Sequence, residues 1–354
     1  MDQEILKATA KVMVAGGKGI LAADESAVTC KKRFDSVNVE CTEDNRRAYR
    51  QTLFTAEGLE QYISGVILHD ETIRQKDDSG TPFPELLAKK GIMPGIKVDG
   101  GPKNLALHDG EKITEGLDGL RERLAEYKTL GAKFAKWRAV ITIGENMPSE
   151  ACISANAHAL ARYAALCQEA DIVPMIEPEV LIDGDHTLER CFEITETTLE
   201  EVFEELNHQG VAPEGTILKA SMVISGNPPE RPASSGRAGK AAKQSTVEEV
   251  ADNTVRVLKA TVPANLAGVV FLSGGQGDEQ ATAHLDAMNK MGKLAWPLSF
   301  SYSRAIQNPV LKKWAEDPKA NVASAQEILL FRAKMCSLAA QGKYSSEMEK
   351  ERPY

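Results

Sequence analysis

Short runs rich in apolar and β-branched residues recur along the chain, and a longer stretch with helical spacing follows nearly every one. The runs cover residues 19–24, 62–70, 93–99, 134–141, 173–181, 215–223, 267–275 and 295–303. After a helical lead-in, helical patterns cover 42–58, 114–131, 149–170, 186–208, 246–261 and 276–291. Thr42 before Glu43 and Asp44, and Ser149 before Glu150, read as N-caps. Eight strands alternating with helices in 354 residues predict an α/β fold, a single (β/α)8 TIM barrel over residues 1–341. An open doubly wound sheet is the alternative. It lacks a GxGxxG after the first strand, because Gly16-Gly17-Lys18-Gly19 precedes that strand instead.

The strands end in polar residues spaced two apart, and such pairs share one face. The first strand leads into Asp24-Glu25-Ser26. The third carries Lys97 and Asp99, the fourth Lys136 and Arg138, the fifth Glu177 and Glu179, and the sixth Lys219 and Ser221. In a barrel, chemistry sits at this end of the strands. Any one pair reads readily as a structural ion pair. The same pattern on strand after strand is harder to explain that way, since a structural core fills inward layers with Val, Ile and Leu.

Lys219 lies inside an apolar run, Gly215-Thr216-Ile217-Leu218-Lys219-Ala220-Ser221-Met222-Val223. Burying an ammonium there is costly unless it is paired or neutral. One reading is an edge-strand lysine that snorkels to water. The other is an amine nucleophile for Schiff-base chemistry. A free lysine, with pKa about 10.4, is roughly one part in 2,000 neutral at pH 7, so full nucleophilicity is worth roughly 4 kcal/mol. Desolvation, and Lys136 as a neighbouring cation, push toward the neutral amine. Glu177 and Glu179 would then move the protons that expel water, particularly with one carboxyl raised toward neutrality by crowding.

The last two strands differ. Leu272-Ser273-Gly274-Gly275-Gln276-Gly277 follows an apolar strand and opens a helix, a pattern that brings backbone N–H groups close to an anion. The eighth strand adds Ser299-Phe300-Ser301-Tyr302-Ser303-Arg304. Hydroxyls and an arginine beside the loops after strands seven and eight match the usual phosphate site of barrels.

Composition narrows the partners. The formal net charge is -9, which argues against nucleic acid or an anionic membrane surface, so positive charge for an anionic ligand must be gathered locally. Cys30, Cys41, Cys152, Cys167, Cys191 and Cys336 form no CxxC pair and read as reduced thiols of a cytoplasmic protein. The acidic start, Met1-Asp2-Gln3-Glu4, carries no secretory signal, and no run reaches the roughly 18 apolar residues of a membrane span. The six histidines show no metal spacing, and Asp183-Gly184-Asp185-His186 reads more simply as a turn and cap than as a metal turn. Walker A and GxSxG motifs are missing, and neither metal nor cofactor is expected. Residues 226–244 read as a long loop with Arg231, Arg237, Lys240 and Lys243 against Glu230. Residues 342–354 read as a mobile, solvated C-terminal tail.

Taken together, the segments resemble class I (Schiff-base) fructose-bisphosphate aldolase. The resemblance runs through Gly19-Ile-Leu-Ala-Ala-Asp24-Glu-Ser26, Gly95-Ile-Lys97-Val-Asp99, Phe134-Ala-Lys136-Trp-Arg138, Val173-Pro-Met-Ile-Glu177-Pro-Glu179, Leu218-Lys219, Phe271-Leu-Ser273-Gly-Gly-Gln276 and Phe300-Ser301-Tyr302-Ser303-Arg304. Gln341-Gly-Lys-Tyr344 and Tyr354 extend it over nearly the whole chain. It implies reversible cleavage of fructose 1,6-bisphosphate to dihydroxyacetone phosphate and glyceraldehyde 3-phosphate, in glycolysis and gluconeogenesis. Lys219 would form the imine. Glu177, with Glu179 and Lys136, would handle protons during dehydration, and Asp24 would take the C4 hydroxyl proton. Tyr354 would reach back for proton transfer at C1. Ser273, Gly274, Gly275, Ser301, Arg304 and Arg33 would hold the phosphate next to C1, and Lys97, Arg138 and Ser26 would face the second phosphate.

The resemblance also implies a cytoplasmic homotetramer, with cytoskeletal partners associated with the family. The chain departs from the family pattern at Ala220-Ser221, usually Pro-Asn, and at Ser303, usually Gly. Those departures and the long basic loop bear on which sugar phosphate is preferred, with sedoheptulose 1,7-bisphosphate or fructose 1-phosphate as alternatives. A chiefly scaffolding protein is the alternative of another kind.

Overall fold

Alternation along a strand sends every second side chain toward a common axis once the sheet closes on itself. The computed structural model, which describes residues 2–227 and 243–354, has that closed sheet. Its strands are β1 Gly19–Ala23, β2 Ile63–Leu68, β3 Met93–Lys97, β4 Phe134–Ile141, β5 Val173–Val180, β6 Ile217–Ala220, β7 Gly268–Phe271 and β8 Leu298–Tyr302. All eight neighbouring pairs are parallel and follow sequence order, β8 closing on β1. The expected barrel is the observed fold. The open-sheet alternative and the edge-strand reading of Lys219 both fall, since β6 pairs with β5 and β7.

The barrel interior is stratified. Its lower part is apolar, with Ile20, Ala22, Ile67, Phe134, Val173, Met175, Ile217 and Val270 packed together. The lead-in helix Gln3–Met13 closes it from below through Leu6, Ala10 and Met13. Phe134 takes the space that Gly95 leaves open, where a Cβ would sit 2.2 Å from the ring. The outward set, including Leu21, Val66, Trp137, Ile176, Leu218 and Phe271, joins the apolar faces of the helices in a larger core. Trp137 faces away from its charged neighbours and packs against Tyr163, ring centres 5.5 Å apart.

Helix starts follow the sequence signals. Thr42 caps Glu43–Phe54 by accepting from Asn45 N, and Ser149 caps Glu150–Glu169 by accepting from Cys152 N. Thr246 and Glu249 form a reciprocal capping box on Val247–Thr261. One helix differs. The pattern from residue 114 yields Leu120–Thr129 only, because Gly116 and Gly119 hold φ of 125° and 64°, outside the helical range. Lys112–Thr114 instead pairs with Pro102–Asn104 in a hairpin that periodicity did not reveal.

One further expectation goes untested and another changes. Arg231, Arg237 and Lys240 of the basic loop lie outside the described residues. The tail expected to fray is tied down. Arg332, 0% exposed, donates to both carboxylate oxygens of Glu349 at 2.7 and 2.8 Å. Tyr344 Oη and Arg352 Nε reach the same carboxylate at 3.0 and 2.8 Å. A fully buried guanidinium requires such partners, and the tail supplies them.

Candidate active site

Above the apolar layers, the inward positions turn charged at the C-terminal ends of the strands. β4 contributes Lys136 and Arg138, β5 Glu177 and Glu179, and β6 Lys219. The register sets Arg138 opposite Glu177 and Lys97 opposite Lys136. Asp24 arrives just past β1. These residues line a cavity of about 740 Å³ together with Ser26, Arg33, Lys97, Ser273, Gly274, Ser301 and Arg304.

A chain of ion pairs runs across the floor. Lys219 Nζ lies 3.0 Å from Glu177 Oε1, Glu177 Oε2 lies 3.2 Å from Lys136 Nζ, and Lys136 Nζ lies 2.8 Å from Asp24 Oδ2. Lys219, Lys136 and Glu177 are 4%, 3% and 3% exposed. Burial drives Asp24 toward protonation, but Lys136, Lys219 and Lys97 outweigh it and hold its carboxyl far below the usual range. Glu177 follows the same balance. Burial pushes it up, Lys136, Lys219 and Arg138 pull harder, and its net direction is down. Crowding alone would raise one of the two carboxyls, Glu177 or Glu179. The cations interleaved between the carboxylates reverse that. Burial pulls Lys136 down, while Asp24, Glu177 and Asp99 carry it well above the ordinary lysine range. Lys136 is therefore a fixed cation between two ionised carboxylates.

One wall concentrates positive charge. Arg138 is ion-paired with Glu179, and Lys97 Nζ reaches Asp99 Oδ1 at 2.6 Å. Arg304 is held below the usual arginine range, first by burial and then by the Arg33 guanidinium beside it. Gly274 packs where a Cβ would come within 3.2 Å of Arg304 Nη2 and 3.3 Å of Glu179 Oε1. At Gly275, φ is 75° and a Cβ would meet Ile182 Cγ2 at 2.1 Å, so this second glycine is sterically required. Ser273 and Ser301 are both buried at the strand ends. Ser26 caps the helix Ala27–Asp35 and borders the same cavity.

Not every candidate converges. Ser221 leaves the Lys219 face beyond β6 and donates to Val180 O at 2.8 Å. Tyr354 is 45% exposed and sits outside the mouth, its hydroxyl 3.3 Å from Asp278 Oδ2. It lines a neighbouring cleft of about 410 Å³ that shares Arg304 with the mouth. Conversely, Glu25 and His69 line the mouth without having drawn a role from the sequence. For Glu25 the signal was its place in Asp24-Glu25-Ser26; His69 had only its position just past β2.

A buried lysine–carboxylate relay facing a cationic wall, at the catalytic end of a closed barrel, defines an enzyme for an anionic carbonyl substrate. The family model described as fructose-bisphosphate aldolase class-I matches residues 5–353, and the chain belongs to that family. A Xanthomonas campestris protein named probable fructose-bisphosphate aldolase class 1 is 60% identical over 344 residues, covering 97% of this chain and 99% of that one. The Drosophila melanogaster fructose-bisphosphate aldolase is 52% identical over 344 residues, covering 97% and 91%. A solved structure of the Plasmodium falciparum aldolase, in complex with TRAP and a small-molecule inhibitor, superposes with a TM-score of 0.92 at 47% identity, covering 97% and 96%. The chain is thus a carbon–carbon lyase that cleaves fructose 1,6-bisphosphate in glycolysis. Neither another sugar phosphate nor a purely scaffolding role is favoured.

Proposed function

We propose that Lys219 is the Schiff-base lysine and that the Lys219–Glu177–Lys136–Asp24 relay carries the protons of the reaction. The observation behind this reading is the 3.0 Å approach of Lys219 Nζ to Glu177 Oε1 in a buried setting. The Lys219 amine adds to the C2 carbonyl and forms a carbinolamine. Glu177, ionised at rest, accepts a proton from the amine and returns it to the carbinolamine hydroxyl, which leaves as water. Lys136 keeps Glu177 ionised between these transfers and also holds Asp24 ionised, with Glu179 orienting Arg138. Asp24 then removes the C4 hydroxyl proton as the C3–C4 bond breaks. Glyceraldehyde 3-phosphate departs and an enamine remains on Lys219. Tyr354 delivers the proton to the enamine carbon, which is C1 of dihydroxyacetone phosphate. From its outward position this requires the last residues of the tail to swing toward the mouth.

Ser273, Gly274, Gly275, Ser301, Arg304 and Arg33 hold the phosphate next to C1. Lys97, Arg138 and Ser26 take the second. The concentration of cations on this wall supports that division in a chain whose net charge is -9. A Lys219→Met variant should lose at least about 1,000-fold in cleavage rate, the usual scale for removing a covalent nucleophile. Comparable turnover would overturn the assignment. Activity that persists with a chelator would further separate the reaction from metal-dependent aldol cleavage.

The reading extends to a cytoplasmic homotetramer. A spinach relative at 49% identity is named a cytoplasmic isozyme, which supports the location. The four-subunit state follows from the family alone, and sedimentation equilibrium tests it.

A further inference from the structure

We infer that Ser303 and Glu25 are positioning residues that set the Arg33 guanidinium for anion binding. Ser303 stands at the N-cap of the helix Arg304–Glu316, where a serine hydroxyl ordinarily accepts from the backbone of the first turn. Here it makes no such bond. It donates instead to Glu25 Oε1 at 2.7 Å and accepts from Arg33 Nη2 at 3.0 Å. Giving up a cap costs helix stability, so the diversion points to a use elsewhere.

The same Glu25 oxygen accepts from Arg33 Nη1 at 2.6 Å and from Gln307 Nε2 at 3.0 Å, while its other oxygen pairs with buried Arg50 at 3.1 Å. Arg33 is thereby gripped at both terminal nitrogens, by a carboxylate and by a hydroxyl that the carboxylate itself orients. Two of its five N–H groups are committed and three are left for a ligand in the cavity that Arg33 and Arg304 line. Arg33 and Arg304 both line the cavity, and guanidinium forks of this kind match the oxygens of a phosphate monoester. The Ser303 hydroxyl, which also accepts from Gln307 Nε2 at 3.2 Å, acts on the ligand through Arg33. Without the hydroxyl, Arg33 keeps its charge and its Glu25 bond but loses the contact that fixes its second terminal nitrogen.

This inference rests on the phosphate-site part of the proposed function. The test is calorimetric binding of inorganic phosphate to the full chain, in a double-mutant cycle of Ser303→Ala and Arg33→Ala. Ser303→Ala should weaken phosphate binding about 5- to 10-fold in the parent and less than about 1.5-fold on the Arg33→Ala background. Ser303→Thr, which keeps the hydroxyl, should restore binding to within about 2-fold, and Ser303→Gly should reproduce the alanine loss if the alanine variant folds poorly. An equal loss on both backgrounds, or no loss from Ser303→Ala in the parent, overturns the inference. Borohydride trapping of dihydroxyacetone phosphate on the parent is read separately. Its failure would count against the Schiff-base reading and leave the phosphate cycle interpretable.

Discussion

Lys136 Nζ lies 2.8 Å from Asp24 Oδ2, joining β4 to the end of β1 across the barrel mouth. The pair explains why two carboxylates stay ionised in a place that burial alone would neutralise. Lys136 also faces Glu177, so a change at Lys136 reaches both. Lys136→Met should reduce kcat by about 100-fold or more, the scale of a lost acid–base contribution. It should also raise the pH at which activity is half-maximal on the acid limb, because Asp24 and Glu177 then revert toward ordinary carboxylate behaviour. An unchanged acid limb in the pH–rate profile would remove Lys136 from this role.

Asp24 links the site to stability. Its carboxyl is held low in the folded chain, and an unfolded aspartate titrates at about 3.9. The folded state therefore binds the proton less readily than the unfolded one. The stability gained is full above about pH 5 and is lost as pH falls below about 4. Urea midpoints measured from pH 7 to pH 3 should fall more steeply for the parent than for Asp24→Asn. Parallel curves would contradict the linkage.

Glu177→Ala separates chemistry from support. It leaves Lys219 without its carboxylate and Lys136 with Asp24 alone. Removing one partner of a buried pair costs on the order of 3 kcal/mol, which thermal unfolding should register as a lower Tm. Glu177→Gln keeps the shape and should retain most of that stability while still slowing dehydration of the carbinolamine. Equal Tm losses for both variants would mean that the charge, not the shape, matters.

At the other end of the chain, Glu349→Ala takes from buried Arg332 the carboxylate that ties it to the tail. Limited proteolysis should then cut within residues 342–354 faster than in the parent. Deleting Tyr354 should slow proton exchange at C1 of dihydroxyacetone phosphate more than it weakens phosphate binding. Unchanged exchange in the truncated protein would exclude Tyr354 from the proton step.

Much of this was readable from spacing. Lys136 with Arg138, and Glu177 with Glu179, share a face because side chains alternate, and closing the sheet turns that face inward. The double glycine and Arg304 were legible as a turn and a cation beside the last strands. What spacing did not carry was contact across the sequence. Arg33 meets Ser303 over 270 positions, and Arg332 meets a tail whose composition alone suggested disorder. The downward direction at Glu177 was hidden for the same reason. It depends on which charges interleave in space, and periodicity orders faces without fixing that.

The central claim is that Lys219 forms the covalent bond with the ketose. Borohydride reduction in the presence of dihydroxyacetone phosphate, followed by peptide mass mapping, tests it directly. One stable adduct per chain is expected, on the peptide containing Lys219, with parallel loss of activity and no adduct in Lys219→Met. An adduct on another lysine, or full activity after reduction, would contradict it.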